Sequence, residues 1–405
     1  MSSKSRKVAV LGAGPVGLEA ALALRQEGHD VEVYERGRVA ESVRQWGHIK
    51  LFSPWSLNVS ERGLVALREV GAAAPDGGAF PSGAQYVEEY LEPLSRHASL
   101  EGRLHTQTRV VEVGRAGVLK GELIGSQRRR ERPFQLLLED ASGAERLATA
   151  EVVVDTTGCW TNPNNLGTGG IPALGERAAA ARGQIRYAIP DCLGSDEADF
   201  AGKHVAVVGA GYSAITTLNA LVQLAQRAPE TRITWLTRGG AEPYARIADD
   251  PLPERDSLSE LGNTLAKGAG GVDHVSGVNV LGVGEDGSGK MTLKLAALGE
   301  ERCVEAVDLV VANVGFHPDV GLYRELQVHQ CYASEGPMKL AAALLGASGG
   351  GGDCLAQTSM GADTLKSPEP DFYILGSKSY GRNSAFLIKL GLEQIEDLKA
   401  LLAAS

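Results

Sequence analysis

At 405 residues the chain is long enough for two or three domains, and 43% hydrophobic with 22% charged residues is the balance of a globular protein without a membrane span. A net charge of −10 argues against a surface built for nucleic acid or for an anionic membrane. The five cysteines, Cys159, Cys192, Cys303, Cys331 and Cys354, are scattered, with no CxxC and no metal-ligand spacing; this excludes a disulfide framework and suits a reducing cytoplasm.

In chain order, residues 8–11 are a short apolar run of the kind that becomes a buried parallel strand. They pass directly into Gly12-Ala13-Gly14-Pro15-Val16-Gly17, and apolar positions at helical spacing follow over residues 18–25. Gly28 breaks that helix, and Val31, Val33 and Tyr34 alternate as a second strand with Glu35-Arg36 at its tip. A strand, glycine turn, helix and strand with an acid about 20 residues on is the pattern that holds a dinucleotide. Gly12 allows the tight turn, Gly14 lets the backbone approach a pyrophosphate, and Gly17 lets the helix pack close to the sheet. The helix N-terminus at Pro15 and Val16 faces the phosphates, and Glu35 accepts hydrogen bonds from a ribose diol. A basic start and apolar middle also resemble a signal peptide, but Gly12, Gly14, Pro15 and Glu19 interrupt the stretch and the nucleotide turn explains it better.

Residues 41–58 follow neither period and concentrate Trp46, Phe52 and Trp55 in a chain that is 5% aromatic. They are expected as a lid packed on the core or a wall over a flat ligand. Ser82 is placed to cap a helix whose apolar face holds Tyr86, Tyr90, Leu91 and Leu94. Residues 108–113, which include Val110, and 134–138 read as strands of a neighbouring sheet, with the basic run 128–132 as an exposed hairpin tip. Residues 151–157 read as a further buried strand closing at Gly158.

From residue 203 the opening pattern repeats. A strand over 204–208 leads into Gly209-Ala210-Gly211-Tyr212-Ser213-Ala214, a helix over 215–226 and a strand over 231–236 tipped by Thr237-Arg238. Ala214 stands where the third glycine stood, and the repeat implies a second nucleotide. Arg238 in place of an acid suits a 2′-phosphate and favours NADPH over NADH. Two further strands are expected over 304–311 and 372–375, followed by Gly315 and Gly376. Residues 346–352 read as a flexible glycine loop. Residues 385–402 read as one amphipathic helix capped by Asn383 or Ser384.

Together these landmarks resemble the two-dinucleotide-binding-domain flavoproteins: flavin-containing monooxygenases, N-hydroxylases and thioredoxin-reductase-like enzymes. The resemblance implies an α/β fold of two Rossmann-like, three-layer domains. An NAD(P)H domain over 199–311 would be inserted into a discontinuous FAD domain over 1–198 and 312–405. Residues 152–158 resemble the family segment ending in Ala-Thr-Gly, which brings Thr157 and Gly158 to the FAD. Residues 308–318 resemble the later segment that leads back into the FAD domain. Residues 373–376 resemble the strand ending in Gly-Asp beside the ribityl chain; Gly376 is kept and Ser377 replaces the aspartate.

Trp46, then Leu51-Phe52-Ser53-Pro54, Phe80-Pro81-Ser82 and Tyr90-Leu91 fall in the order of the flavin-containing monooxygenases. Ser53 stands where those enzymes often carry an asparagine touching the reacting edge of the flavin, so it is the candidate catalytic residue. The helix after Ser384 would point its N-terminus at the flavin N1–C2=O. The resemblance implies an NADPH-using FAD monooxygenase that oxygenates a soft nitrogen or sulfur atom of a small molecule through a flavin C4a-(hydro)peroxide. The alternatives are an NADPH-dependent flavoprotein reductase without oxygen insertion and a sensing or scaffold flavoprotein without turnover. Cys159, at the end of the Ala-Thr-Gly-like strand, reads as a packed structural thiol. His48 and His317 read as ordinary surface or core histidines. The expected partner is a small-molecule substrate, without metal, and a homodimer is allowed.

Overall fold

Alternate residues of the first apolar run face opposite sides of a sheet, and both sides are covered. Val8 and Val10 share a core with Leu18, Ala21 and Leu22 of the helix Pro15–Gln26, whereas Ala9 and Leu11 pack with Phe134, Leu136 and Leu138. A strand buried on both faces has no polar face to alternate, which is why the run reads as unbroken. The computed structural model describes residues 5–245, 252–297, 300–348 and 359–404. The chain divides into two units, Met1–Asn162 with Phe316–Ser405, and Pro163–Gly315.

In the first unit β1 (Lys7–Leu11), β2 (Asp30–Tyr34), β3 (Leu104–His105), β7 (Val152–Asp155) and β16 (Phe372–Ile374) form a parallel sheet in the order β16-β7-β1-β2-β3. An antiparallel sheet of β4 (Thr108–Arg115), β5 (Phe134–Asp140) and β6 (Glu145–Ala150) supplies one covering layer. The helices Pro15–Gln26 and Ile388–Ala403 supply the other, with Ile395 and Leu398 fully buried. Each such buried side chain contributes roughly 1.5–3 kcal/mol.

The second unit repeats the plan. β8 (Ile185–Arg186), β9 (His204–Val208), β10 (Arg232–Leu236), β11 (Val272–Val275) and β15 (Leu309–Ala312) form a parallel sheet in the order β11-β10-β9-β15-β8. β12 (Asn279–Glu285), β13 (Met291–Ala297) and β14 (Glu300–Val307) form an antiparallel one. Two α/β units, each with a parallel sheet and an antiparallel layer, are the three-layer architecture expected from the sequence. The sequence reading set its boundaries at 198/199 and 311/312, whereas the units divide at 162/163 and 315/316. Residues 163–198 lie in the second unit, where β8 extends its sheet beside β15 and Glu176 accepts backbone bonds from Leu166 and Ala173.

Four local expectations are corrected. The run 304–311 is two strands: Ala306, at φ 55°, bulges β14, and the chain turns at Asp308 to join the parallel sheet as β15. The basic run is not simply an exposed tip, because the Arg129 guanidinium is fully buried 2.9 Å from the Glu369 carboxylate. The last helix begins at Ile388; Asn383 Oδ1 accepts instead from Ala385 N, closing a turn ahead of the helix. Gly346 belongs to the helix Met338–Ser348, so the expected loop does not begin there, and 349–352 lie outside the described residues. No helix among the described residues is long and apolar enough to cross a membrane.

Candidate functional site

The first glycine turn has the features of a phosphate cradle. Gly12, at φ +97°, donates its N–H to Tyr34 O at 2.8 Å and so ties the turn to β2. A Cβ at Gly17 would run into the Gly12 carbonyl and lie 2.7 Å from Thr156 Oγ1, so only glycine lets the helix approach. A Cβ at Gly14 would meet nothing within 4 Å, which leaves the space a pyrophosphate needs. The helix has Gly14 as N-cap and Pro15 in its first turn, with no side-chain cap. The first-turn N–H groups at Val16 and Gly17 are therefore available to an anion.

Glu35 is anchored at the β2 tip. Its Oε2 accepts from Ala13 N and its Oε1 from Gly37 N, both at 2.8 Å, and each oxygen keeps a lone pair for a diol. Arg36 is exposed, and Val110 is half-buried in β4 opposite Leu138.

The structure brings the Ala-Thr-Gly-like segment and the Gly376 turn to the same place. Thr156 Oγ1 donates to Leu11 O at 2.7 Å. Ser377 Oγ stands 3.4 Å from where a Gly158 Cβ would be, and a Cβ at Gly376 would lie 3.4 Å from Val16 Cγ2. Gly376 N is held by Gln394 Oε1 at 2.8 Å. Sequence reasoning selected Thr157 but missed the pair beneath it, Asp155 and Lys378, with the ammonium 2.7 Å from the carboxylate and both side chains fully buried. Its signal was a charged residue at each of two places where a buried apolar strand ends.

The aromatic segment divides in two. Trp55 is core, edge-on to Tyr86 and Tyr90 at 5.6 and 6.4 Å between ring centroids. Trp46 is half-buried and lies 6.0 Å from Trp160, which lies 4.9 Å from Phe316. Trp46 Nε1 is buried without an acceptor, an orphan donor of the kind a bound ligand satisfies. Ser53 is buried, and its Oγ pairs with the side chain of Asn58, which sequence reasoning did not select. Ser53 Oγ donates to Asn58 Oδ1 at 3.1 Å and accepts from Asn58 Nδ2 at 3.0 Å, so the two side chains hold each other in both directions. Ser384 is exposed and precedes the helix by four positions, so it does not cap it.

Burial pushes the Cys159 thiol up to about 11, although the Lys378 ammonium pulls the other way. Cys159 is free and buried; Cys354 lies outside the described residues.

In the second unit, a Cβ at Gly209 would run into Asn313 O, and one at Gly211 would meet nothing within 4 Å. The helix Tyr212–Arg227 starts there without a side-chain cap. Ala214 is fully buried, and Ser213 O accepts from Thr217 Oγ1 at 3.0 Å. Tyr212 stacks on Tyr244 at 6.3 Å, and Tyr244 on Trp235 at 6.4 Å. Arg238 is exposed at the strand tip, and Thr237 is held by His274 at 2.9 Å.

The residues at the first turn thus fit a dinucleotide: an open backbone cradle, an uncapped helix end, a fixed acid and an orphan indole donor in the same unit. Comparison with known proteins agrees. The family model for pyridine nucleotide-disulphide oxidoreductases matches residues 6–332. The bacillithiol disulfide reductase of Bacillus cereus is 20% identical with a TM-score of 0.68, covering 99% of this chain and 99% of that one. The FAD-bound cadaverine monooxygenase of Erwinia amylovora is 14% identical with a TM-score of 0.66, covering 99% and 95%. The ornithine hydroxylase of Pseudomonas aeruginosa is 14% identical with a TM-score of 0.63, covering 99% and 99%. At these identities the likeness is one of fold. Over 69 residues, 17% of this chain, the sequence is 44% identical to kynurenine 3-monooxygenase of Neurospora crassa, and the match spans 13% of that relative's length.

Proposed function

Starting from a chain that belongs to the pyridine nucleotide-disulphide oxidoreductase family, we propose an NADPH-using monooxygenase that places one oxygen atom on a soft nitrogen or sulfur centre of a small molecule. The chain is an FAD-dependent oxidoreductase that draws electrons from NAD(P)H. When bound, FAD carries two electrons from the nicotinamide to O₂, of which one atom goes to the substrate and the other to water.

The residues of the chain bind and shield. Gly14 and the first-turn N–H groups of Val16 and Gly17 would hold the pyrophosphate, and Glu35 the ribose hydroxyls. Thr157, Gly158, Gly376 and Ser377 would line the same cradle. Trp46, the exposed Trp160 and Phe316 form an aromatic surface that would shield a reacting edge laid against it. Ser53, paired with Asn58 in both directions, would offer its proton to an acceptor there by giving up its bond to Asn58 Oδ1. Arg238 would meet a 2′-phosphate, which separates NADPH from NADH.

The observation that carries the reading is Cys159. It is the cysteine next to the Thr157–Gly158 turn, and it is buried, unpaired and held at about 11. Burial therefore favours the neutral thiol, and disulfide exchange needs the thiolate. The fold likeness to bacillithiol disulfide reductase over 99% of both chains favours a second reading, an NADPH-dependent reductase without oxygen insertion. Turnover of thiols, amines and arsenicals under ¹⁸O₂ tests the choice. One labelled oxygen in product per NADPH is expected; NADPH oxidation with no label under any substrate would favour the reductase.

A further inference from the structure

Asp155 closes β7 and Lys378 lies in the turn Gly376–Tyr380; both side chains are fully buried, with Nζ 2.7 Å from Oδ2. The ammonium also donates to Thr157 Oγ1 at 3.0 Å and stands 5.1 Å above the centre of the Tyr323 ring. Thr157 in turn donates its hydroxyl proton and its backbone N–H to Asp155 Oδ1, at 2.7 and 3.0 Å. Carboxylate and ammonium thus pair away from water, Asp155 Oδ2 through the ion pair alone, and the hydroxyl of the exposed Thr157 bridges them. A buried pair of this kind gains little over packed apolar residues of the same volume. Stability alone is therefore a poor account of it, and what it holds in place is a better one.

It joins the pieces of backbone that form the first cradle. Thr156, next to Thr157, donates to Leu11 O at the start of the glycine turn. Gly158, on the other side of Thr157, faces Ser377, and Gly376 faces Val16. Without the triad, the end of β7 and the turn Gly376–Tyr380 keep the backbone bond from Leu375 N to Asp155 O at 2.9 Å but lose their side-chain tie, and a looser seat must be ordered at the moment of binding. We propose that Asp155 and Lys378, acting through Thr157, are positioning residues that preset these two turns to receive FAD. The inference rests on reading this cradle as the FAD seat.

The test is titration of apoprotein with FAD, followed by flavin fluorescence, alongside the melting temperature of each apoprotein. Thr157→Val leaves the charges paired and the site filled, and is expected to fold and to bind FAD about tenfold more weakly, the equivalent of one hydrogen bond. Lys378→Met alone strands a buried carboxylate and is expected to melt far below the parent. The double variant Asp155→Leu/Lys378→Met removes both charges. It should melt close to the parent yet bind FAD at least about tenfold more weakly, because Thr157 has lost both partners. Parental affinity in Thr157→Val, or in a double variant that melts like the parent, overturns the positioning role and leaves the cofactor reading intact. If the double variant does not fold, Thr157→Val decides alone. A parent apoprotein that binds no FAD overturns the cofactor reading and the positioning role with it.

Discussion

The two glycine turns differ most where the motif makes them look alike. Both begin with a glycine at positive φ, +97° at Gly12 and +131° at Gly209, and both leave open space over the middle glycine. Both feed a helix with no side-chain cap. The strand tips differ: Glu35 is fixed by two backbone amides, whereas Arg238 is exposed. The third positions differ as well. At Gly17 a methyl group would run into the Gly12 carbonyl, whereas the Ala214 methyl is accommodated in a filled core. The first turn has its strand-tip group already held by backbone amides, whereas the second leaves its strand-tip arginine exposed. On the proposed reading, the first is the seat of a retained cofactor and the second that of a nucleotide that comes and goes, because prior order lowers the cost of binding.

The largest expected effect comes from exchanging the third residues. Gly17→Ala should overpack the junction of helix and turn by about 1–3 kcal/mol or more and yield protein without flavin. Ala214→Gly should cost only about 1 kcal/mol of helix stability and leave flavin content unchanged. Melting curves and the flavin-to-protein absorbance ratio read both. Equal loss in the two variants would mean that the turns are packed alike after all.

Substitution at the middle glycines should come next. Gly14→Val leaves the fold intact, since the added atoms enter open space, but occupies the phosphate position and should abolish flavin retention on dialysis. Gly211→Val should leave the protein yellow and raise KM for NADPH. A Gly14→Val protein with full flavin content would show that the phosphates lie elsewhere.

Much of this was legible in the sequence because it is local. A strand buried on both faces must be an apolar run, and a close helix–turn approach must use glycine, so residues 7–35 and 204–236 declared themselves. What escaped depends on distant partners or on backbone shape. Arg129 reads as one arginine in a basic tract, and its burial follows from Glu369, far along the chain. Residues 304–311 read as one strand interrupted only by Glu305 and Asp308, and the bend at Ala306 leaves no mark of its own. Phe386 and Leu387 continue the helical pattern although the helix starts at Ile388, and Asn383 does cap, but a turn. Ser53 could be nominated from its segment, whereas Asn58 could be found only once the chain had folded back.

The exposed tip supplies a smaller effect. Arg238→Ala should raise KM for NADPH about tenfold, the loss of one charge-assisted contact, and leave KM for NADH nearly unchanged. Parallel kinetics with both nucleotides check it. Equal use of the two nucleotides by the parent would sharpen the comparison differently, by making the second seat indifferent to the 2′-phosphate.

The smallest expected effect concerns the thiols, where the two units are alike. Cys159 in the first and Cys192 in the second are both free and buried, and burial pushes them up to about 11 and about 12. A thiol that exchanges disulfides at neutral pH is shifted the opposite way. Cys159→Ala should therefore change kcat by less than about twofold and cost about 1 kcal/mol for the small void left behind. Since the folded value lies above the unfolded one of about 8.5, the thiol contributes stability that is complete below that pH and is lost as the pH rises toward about 11. Removing it should flatten the alkaline fall of the melting temperature over that window. If the thiol worked as a reductant in turnover, the same substitution would lower kcat by orders of magnitude while leaving flavin content intact. That result would move the chain from oxygen transfer to disulfide chemistry.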